Sequence, residues 1–156
     1  MSRHFTSLAL STSLLLMSSA AFAEATDPIC GLVDASLLTA LQLSDVQPVA
    51  RKVATPVPGG SSVDVATCAW SSKSAQDRAL SVSSTPFPGV MPVSCNIQQQ
   101  PDKAMNTTMT LCMAAASGSM LTVVLMHAGD QSDPKELAAL RSHTEAMANK
   151  LGKTAK

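Results

Sequence analysis

The sequence has no tyrosine, one tryptophan and three phenylalanines in 156 residues. A core so poor in aromatics must be filled by Leu, Val, Met and Ala, and Trp70 is the lone candidate for an indole platform under a ligand. A core position beside Cys68 is the better reading of it. Charge is also sparse, at 14% of residues, and balanced, with no basic run longer than Arg51-Lys52. Nucleic acid and anionic lipid are therefore poor partners. No Cys-x-x-Cys occurs, which argues against zinc and thiol-redox sites. There is no Gly-x-Ser-x-Gly elbow and no Asp-x-Asp-x-Asp-Gly loop, and Gly59-Gly60 lacks the Lys and helix of a phosphate loop. Beyond the N-terminal leader only His127 and His143 remain as imidazole bases, on separate segments. Ser–His or Cys–His catalysis is not indicated. The carboxylates Asp130 and Asp133 read as a turn residue and a helix cap. The expectation is a protein that is not an enzyme and carries no cofactor.

What is present begins with an export signal. Arg3 and His4 precede the apolar run Leu8–Met17, and Ala21-Phe22-Ala23 sets small residues at positions −3 and −1 of a cleavage site. The run is interrupted by Ser and Thr and falls short of the ~20 apolar residues that span a bilayer. No Cys follows it to take a lipid. These features predict a cleaved signal at 1–23, one domain over 24–152 and a frayed tail at 153–156, in the periplasm or secreted. Loss of Arg3 leaves ten Lys and Arg against 11 Asp and Glu, close to neutrality.

Cys30, Cys68, Cys95 and Cys112 follow the signal. An even count in an exported chain reads as two disulfides, and four cysteines allow three connectivities. Pairing of sequence neighbours, Cys30–Cys68 and Cys95–Cys112, is favoured. The first would tie an N-terminal helix to a strand and the second a proline-rich middle to a hairpin. On the chain-entropy argument each is worth about 3–4 kcal/mol.

That hairpin, Thr107–Ala116 and Ser119–His127 joined at Ser117-Gly118, holds most of the apolar surface. If Ala116 pairs with Ser119, Met109, Leu111, Met113 and Ala115 oppose Met126, Val124, Thr122 and Met120, while Thr110, Cys112 and Ala114 share the other face. Both faces are largely apolar, which predicts a central pair covered by helix on one side and by chain or partner on the other. Ahead of it, Asp34 can cap a helix over Ala35–Gln42 with Leu37, Leu38 and Leu41 buried. Val46–Ala54 reads as an edge strand and Thr55–Ser62 as a loop. Asp64–Ser71 and Arg78–Ser84 read as a hairpin with one dry and one wet face. Thr85–Met105, with four prolines, reads as a linker pinned by Cys95. A last helix starts at Asp133-Pro134, with Glu136 three residues beyond the cap and Gly152 as the stop. Its buried stripe is Leu137, Leu140, Thr144, Met147, Ala148 and Leu151, and Arg141 and Glu145 can pair on its wet face.

The predicted fold class is α+β: an antiparallel sheet of two hairpins plus an edge strand, with N- and C-terminal helices packed on one face, stabilised by disulfides. Cys30 before Leu37, Leu38 and Leu41, then Cys68-Ala69-Trp70 on a strand, resembles small secreted domains and lipoproteins of unknown function from actinobacteria. The resemblance spans Cys30 to Trp70 only. It implies a Cys30–Cys68 disulfide and an α+β fold, and no activity. The chain departs from that group in lacking a lipid-attachment Cys and in adding Cys95 and Cys112.

The function these features favour is a non-catalytic periplasmic binding module with a protein partner, of inhibitor or immunity type for example. Pro56, Pro58, Pro86, Phe87 and Pro88 are the candidate contact loops, and a second copy is a further candidate partner. The alternative is a carrier of a small ligand or of Cu(I), using the soft thioethers of Met109 and Met126 with the His127 imidazole. A covered Met face would favour the protein binder and an open one the carrier.

Overall fold

Strict alternation of an inward and an outward residue carries most of this fold. The computed structural model describes residues 28–56, 60–72, 78–101, 106–129 and 133–154. The expected signal at 1–23, Pro58 and Asp130 lie outside them. Six strands form one open antiparallel sheet: β1 (Val49–Pro56), β2 (Ser62–Ser71), β3 (Ala79–Pro86), β4 (Met91–Pro101), β5 (Asn106–Ala116) and β6 (Ser119–Ala128). Their spatial order is β1-β2-β3-β6-β5-β4. Two three-stranded meanders therefore meet through β3 and β6, although no sequence repeat marks the halves. A 3₁₀ turn (Cys30–Leu32) and α1 (Ala35–Ala40) precede the sheet, and α2 (Pro134–Thr154) follows it. The described residues are sheet-rich, with two α-helices and two disulfides.

One row crosses all six strands: Ala50, Cys68, Val82, Val123, Cys112 and Cys95. Its face is the dry one. Cys68, Trp70, Leu80, Val82, Cys112, Leu121, Val123 and Leu125 are buried there in one cluster with Leu37, Leu41 and Leu43 from the α1 segment and Leu140 and Met147 from α2. Burying each such Leu or Val is worth about 1.5–3 kcal/mol. Trp70 is a core residue, 2% exposed. The disulfides join Cys30 to Cys68 and Cys95 to Cys112. The second links directly opposed residues of β4 and β5, with Cα atoms 4.1 Å apart.

The β5–β6 register is the one that Ala116–Ser119 pairing demands, with Met109 opposite Met126 and Leu111 opposite Val124. Ser117 and Gly118 take φ of 51° and 87°, the left-handed pair that a two-residue hairpin turn requires.

Several boundaries differ from the sequence reading. The supposed linker Thr85–Met105 contains β4, so the sheet has one strand more than two hairpins and an edge. Four prolines suggested irregular chain. However, Pro92 and Pro101 fall at the ends of an edge strand, where a missing ladder donor costs little, and Val93, Cys95 and Ile97 alternate with Ser94, Asn96 and Gln98. β1 begins at Val49 rather than Val46 and takes in Thr55 and Pro56 from the supposed loop. α1 stops at Ala40, and Asp34, though at its N-cap position, makes no side-chain cap bond. Its carboxylate instead meets Lys150 Nζ at 2.9 Å and His143 Nδ1 at 3.9 Å, joining α1 to α2.

At α2 the cap reads as expected: Asp133 Oδ1 accepts from the Lys135 amide at 2.8 Å. The helix continues through Gly152 to Thr154. Glycine weakens a helix by about 1 kcal/mol but ends it mainly by adopting positive φ, and α2 runs on past residue 152. Leu140, Thr144, Met147 and Ala148 form the buried stripe, and the Thr144 hydroxyl donates to the Leu140 carbonyl at 2.7 Å. Arg141 and Glu145 do not approach within ion-pair distance of each other.

Candidate functional site

Both helices pack on the Cys68–Val123 side of the sheet, so among the described residues the opposite face carries no helix. Alternation decides what stands on it. β5 presents Met109, Leu111 and Met113, and β6 presents Met120, Thr122, Val124 and Met126. Together they make an apolar stripe two strands wide. On one flank β3 contributes Ala79, Ser81 and Ser83, and on the other β4 contributes Ser94, Asn96 and Gln98. Beyond β3, β2 and β1 add Val65, Thr67 and Ala69, then Val49, Arg51 and Val53. Val49, Val53 and Met126 are 49%, 50% and 42% exposed. Large apolar side chains grouped on an open surface mark interaction sites more often than single exposed ones do. Ala115, at the end of the stripe, is closed off at 2% exposure.

That end of the sheet also holds the candidate contact loops. β1 ends at exposed Pro56. The Pro86–Val90 connection leaves β3 and crosses the β5–β6 turn to reach β4, with the Phe87 amide donating to the Gly118 carbonyl at 2.9 Å. Phe87 is half-buried, and its ring lies where a Cβ on Gly89 would stand, 2.7 Å away. Pro86 and Pro88 are exposed. Val90, at 85% exposure, stands at the mouth of a groove of about 490 Å³ between Met91 and Val93 of β4 and Arg141, Glu145 and Ala148 of α2.

The structure brings Met109 and Met126 together as direct cross-strand partners but places His127 on the opposite face. Neighbours on a strand point to opposite sides, so the imidazole is buried against the helix side, 6% exposed, with Nδ1 3.1 Å from the Ala128 carbonyl. No group of three or more His, Cys, Asp or Glu among the described residues is placed to hold a metal ion.

A polar contact that sequence reasoning missed lies at the other end of the dry face. Arg78, just before β3, forms an ion pair with Glu136 in the first turn of α2, both side chains only 11% exposed. Arg78 Nη1 also donates to the Leu41 carbonyl at 3.4 Å. Three elements are clamped at one point. The Glu136 carboxylate thus serves this pair instead of the reciprocal cap its spacing suggests. Arg78 and Glu136 are 58 residues apart, and no local pattern announces them. Nearby, the Thr108 hydroxyl donates to the Gly129 carbonyl at 2.6 Å.

No helix among the described residues is long and apolar enough to cross a membrane, and two disulfides suit an oxidising compartment. Comparison with protein-family models, with curated proteins and with solved structures finds no match.

Proposed function

We propose that this protein is a non-catalytic binding module of an oxidising, extracytoplasmic compartment, and that it buries the open sheet face against a protein surface. The observation that carries this is the stripe of Met109, Leu111, Met113, Met120, Val124 and Met126, which no helix among the described residues covers. An open Met face meets the condition set for a carrier. Small-ligand sites, however, enclose most of their ligand in clefts of about 300–1,000 Å³. The stripe is a pleated sheet surface, and the groove beside α2 lies elsewhere. A protein surface can cover such a face, and methionine adapts to a partner's relief better than branched side chains do. The Pro86–Pro88 connection borders the stripe and extends the contact.

A photo-cross-linking residue at Val124, with Ser36 on exposed α1 as the control position, tests this in the native compartment. The expected result is a protein-sized adduct from position 124 alone. Free chain from both positions would end the reading.

One observation favours the second reading, a Cu(I) carrier: two thioethers, Met109 and Met126, oppose each other on the open face. With His127 behind the sheet, the two thioethers stand without the imidazole that would complete the set. Titration of Cu(I) against a chelator of known affinity should show no competition beyond a Met109→Leu/Met126→Leu control, and His127→Ala should change nothing. Competition lost in that double variant would make the carrier reading the leading one.

A further inference from the structure

We infer that the surface covering this face is a second copy of the chain, packed face to face about a two-fold axis. The inference rests on the protein-binding reading and names the partner. Across all six strands the open face carries one charged side chain, Arg51 on β1. A face studded with charges of one sign would repel its own copy, and this one does not. Its pattern is also self-complementary. With the axis along the β5–β6 seam, β5 of each copy lies over β6 of the other. Residues at the same height then meet: Met109 lies over Met126, Leu111 over Val124, Met113 over Thr122, and Met120 over the end of the stripe at Ala115. Each β3 column, Ala79, Ser81 and Ser83, lies over Gln98, Asn96 and Ser94 of the other copy's β4. A mainly apolar seam with polar flanks, Ser81 over Asn96 and Ser83 over Ser94, is the core-and-rim arrangement of protein interfaces. Arg51, two strands outside β3, falls beyond the overlap.

The area suffices. Four overlapping strands, about 4.8 Å apart and about eight residues long at about 3.4 Å each, cover roughly 500 Å² per copy. The total of roughly 1,000 Å² sits at the lower limit for specific association. The dimer is therefore concentration-dependent, with two sheets stacked about 10 Å apart and their strands within about 30° of each other.

Sedimentation equilibrium on protein purified without reduction, across the micromolar range, is the test. The wild-type mass should rise from one chain to two. Val124→Asp, in the stripe, should stay at one chain. Val53→Asp, on β1 of the same face but outside the overlap, should dimerise like wild type. Both positions face outward, and cooperative unfolding of each variant checks its fold. A wild type that stays at one chain, or a Val53→Asp that loses the dimer as fully as Val124→Asp, overturns the inference. The cross-link at position 124 separates its failure from failure of the binding reading. An adduct with a different protein leaves that reading standing and the dimer wrong, whereas no adduct at all ends both.

Discussion

Replacing both Cys30 and Cys68 by alanine is expected to lower the unfolding free energy by about 4 kcal/mol, and replacing both Cys95 and Cys112 by about 3 kcal/mol or less. The bridges span 38 and 17 residues, and loop-closure entropy grows with the logarithm of that length. Packing widens the gap. β4 and β5 are hydrogen-bonded neighbours along most of their length, so the second bridge fastens what the ladder already holds. The 3₁₀ turn and α1 have no ladder. They are held by Cys30–Cys68 and by the burial of Ile29, Leu32, Leu37, Leu41 and Leu43. Cutting that bridge loosens a flap over the same cluster that contains Trp70. Urea unfolding followed by Trp70 fluorescence reads both losses. Against an ordinary stability of about 5–15 kcal/mol the first is the loss that removes most of the margin. Equal losses, or a larger one at Cys95–Cys112, would contradict this ranking.

The Arg78–Glu136 pair carries the second large effect. Arg78→Met should cost about 3 kcal/mol, because removing one member of a buried ion pair strands the other charge. The Arg78→Met/Glu136→Leu double variant should recover most of that loss, since it removes both charges and fills the space with apolar volume. Arg78 ties the start of β3 to the end of α1 and the first turn of α2, so α2 should be the element most loosened in the single variant. A double-mutant cycle in urea measures the coupling. A single-variant loss below about 1 kcal/mol, the range of exposed pairs, would show that water screens the site.

Much of the sheet was legible in the sequence where one physical rule acted alone. The β5–β6 register followed from the shortest turn between two apolar runs, because a one-residue slip would exchange the two faces. Leu80 and Val82 alternate with Ser81 and Ser83, and that wet-and-dry pattern marks β3 directly. Asp133-Pro134 announces α2, because a carboxylate cap and a residue without an amide hydrogen both suit that position. β4 was hidden by a conflict of signals. Its prolines read as irregular chain, while the alternation of Val93, Cys95 and Ile97 with polar residues reads as a strand. The edge position reconciles them. His127 shows the same rule overlooked, since a strand residue adjacent to Met126 must face away from it.

By itself the sequence determined local matters: strand alternation, the hairpin register, the α2 cap and the even set of cysteines. Each depends on neighbours within a few residues or on composition. The order β1-β2-β3-β6-β5-β4, the pairing of Arg78 with Glu136 and the choice of which face the helices cover were decided only in the tertiary structure. Both faces of β5–β6 are apolar enough to be buried, so hydrophobicity alone could not choose between them. The choice came from elsewhere in the chain. Cys68, Trp70, Leu80 and Val82 give β2 and β3 a single dry face, and once β3 pairs with β6 that face is continuous with Cys112 and Val123. The helices can bury the most apolar surface there, and the methionine stripe is left facing out.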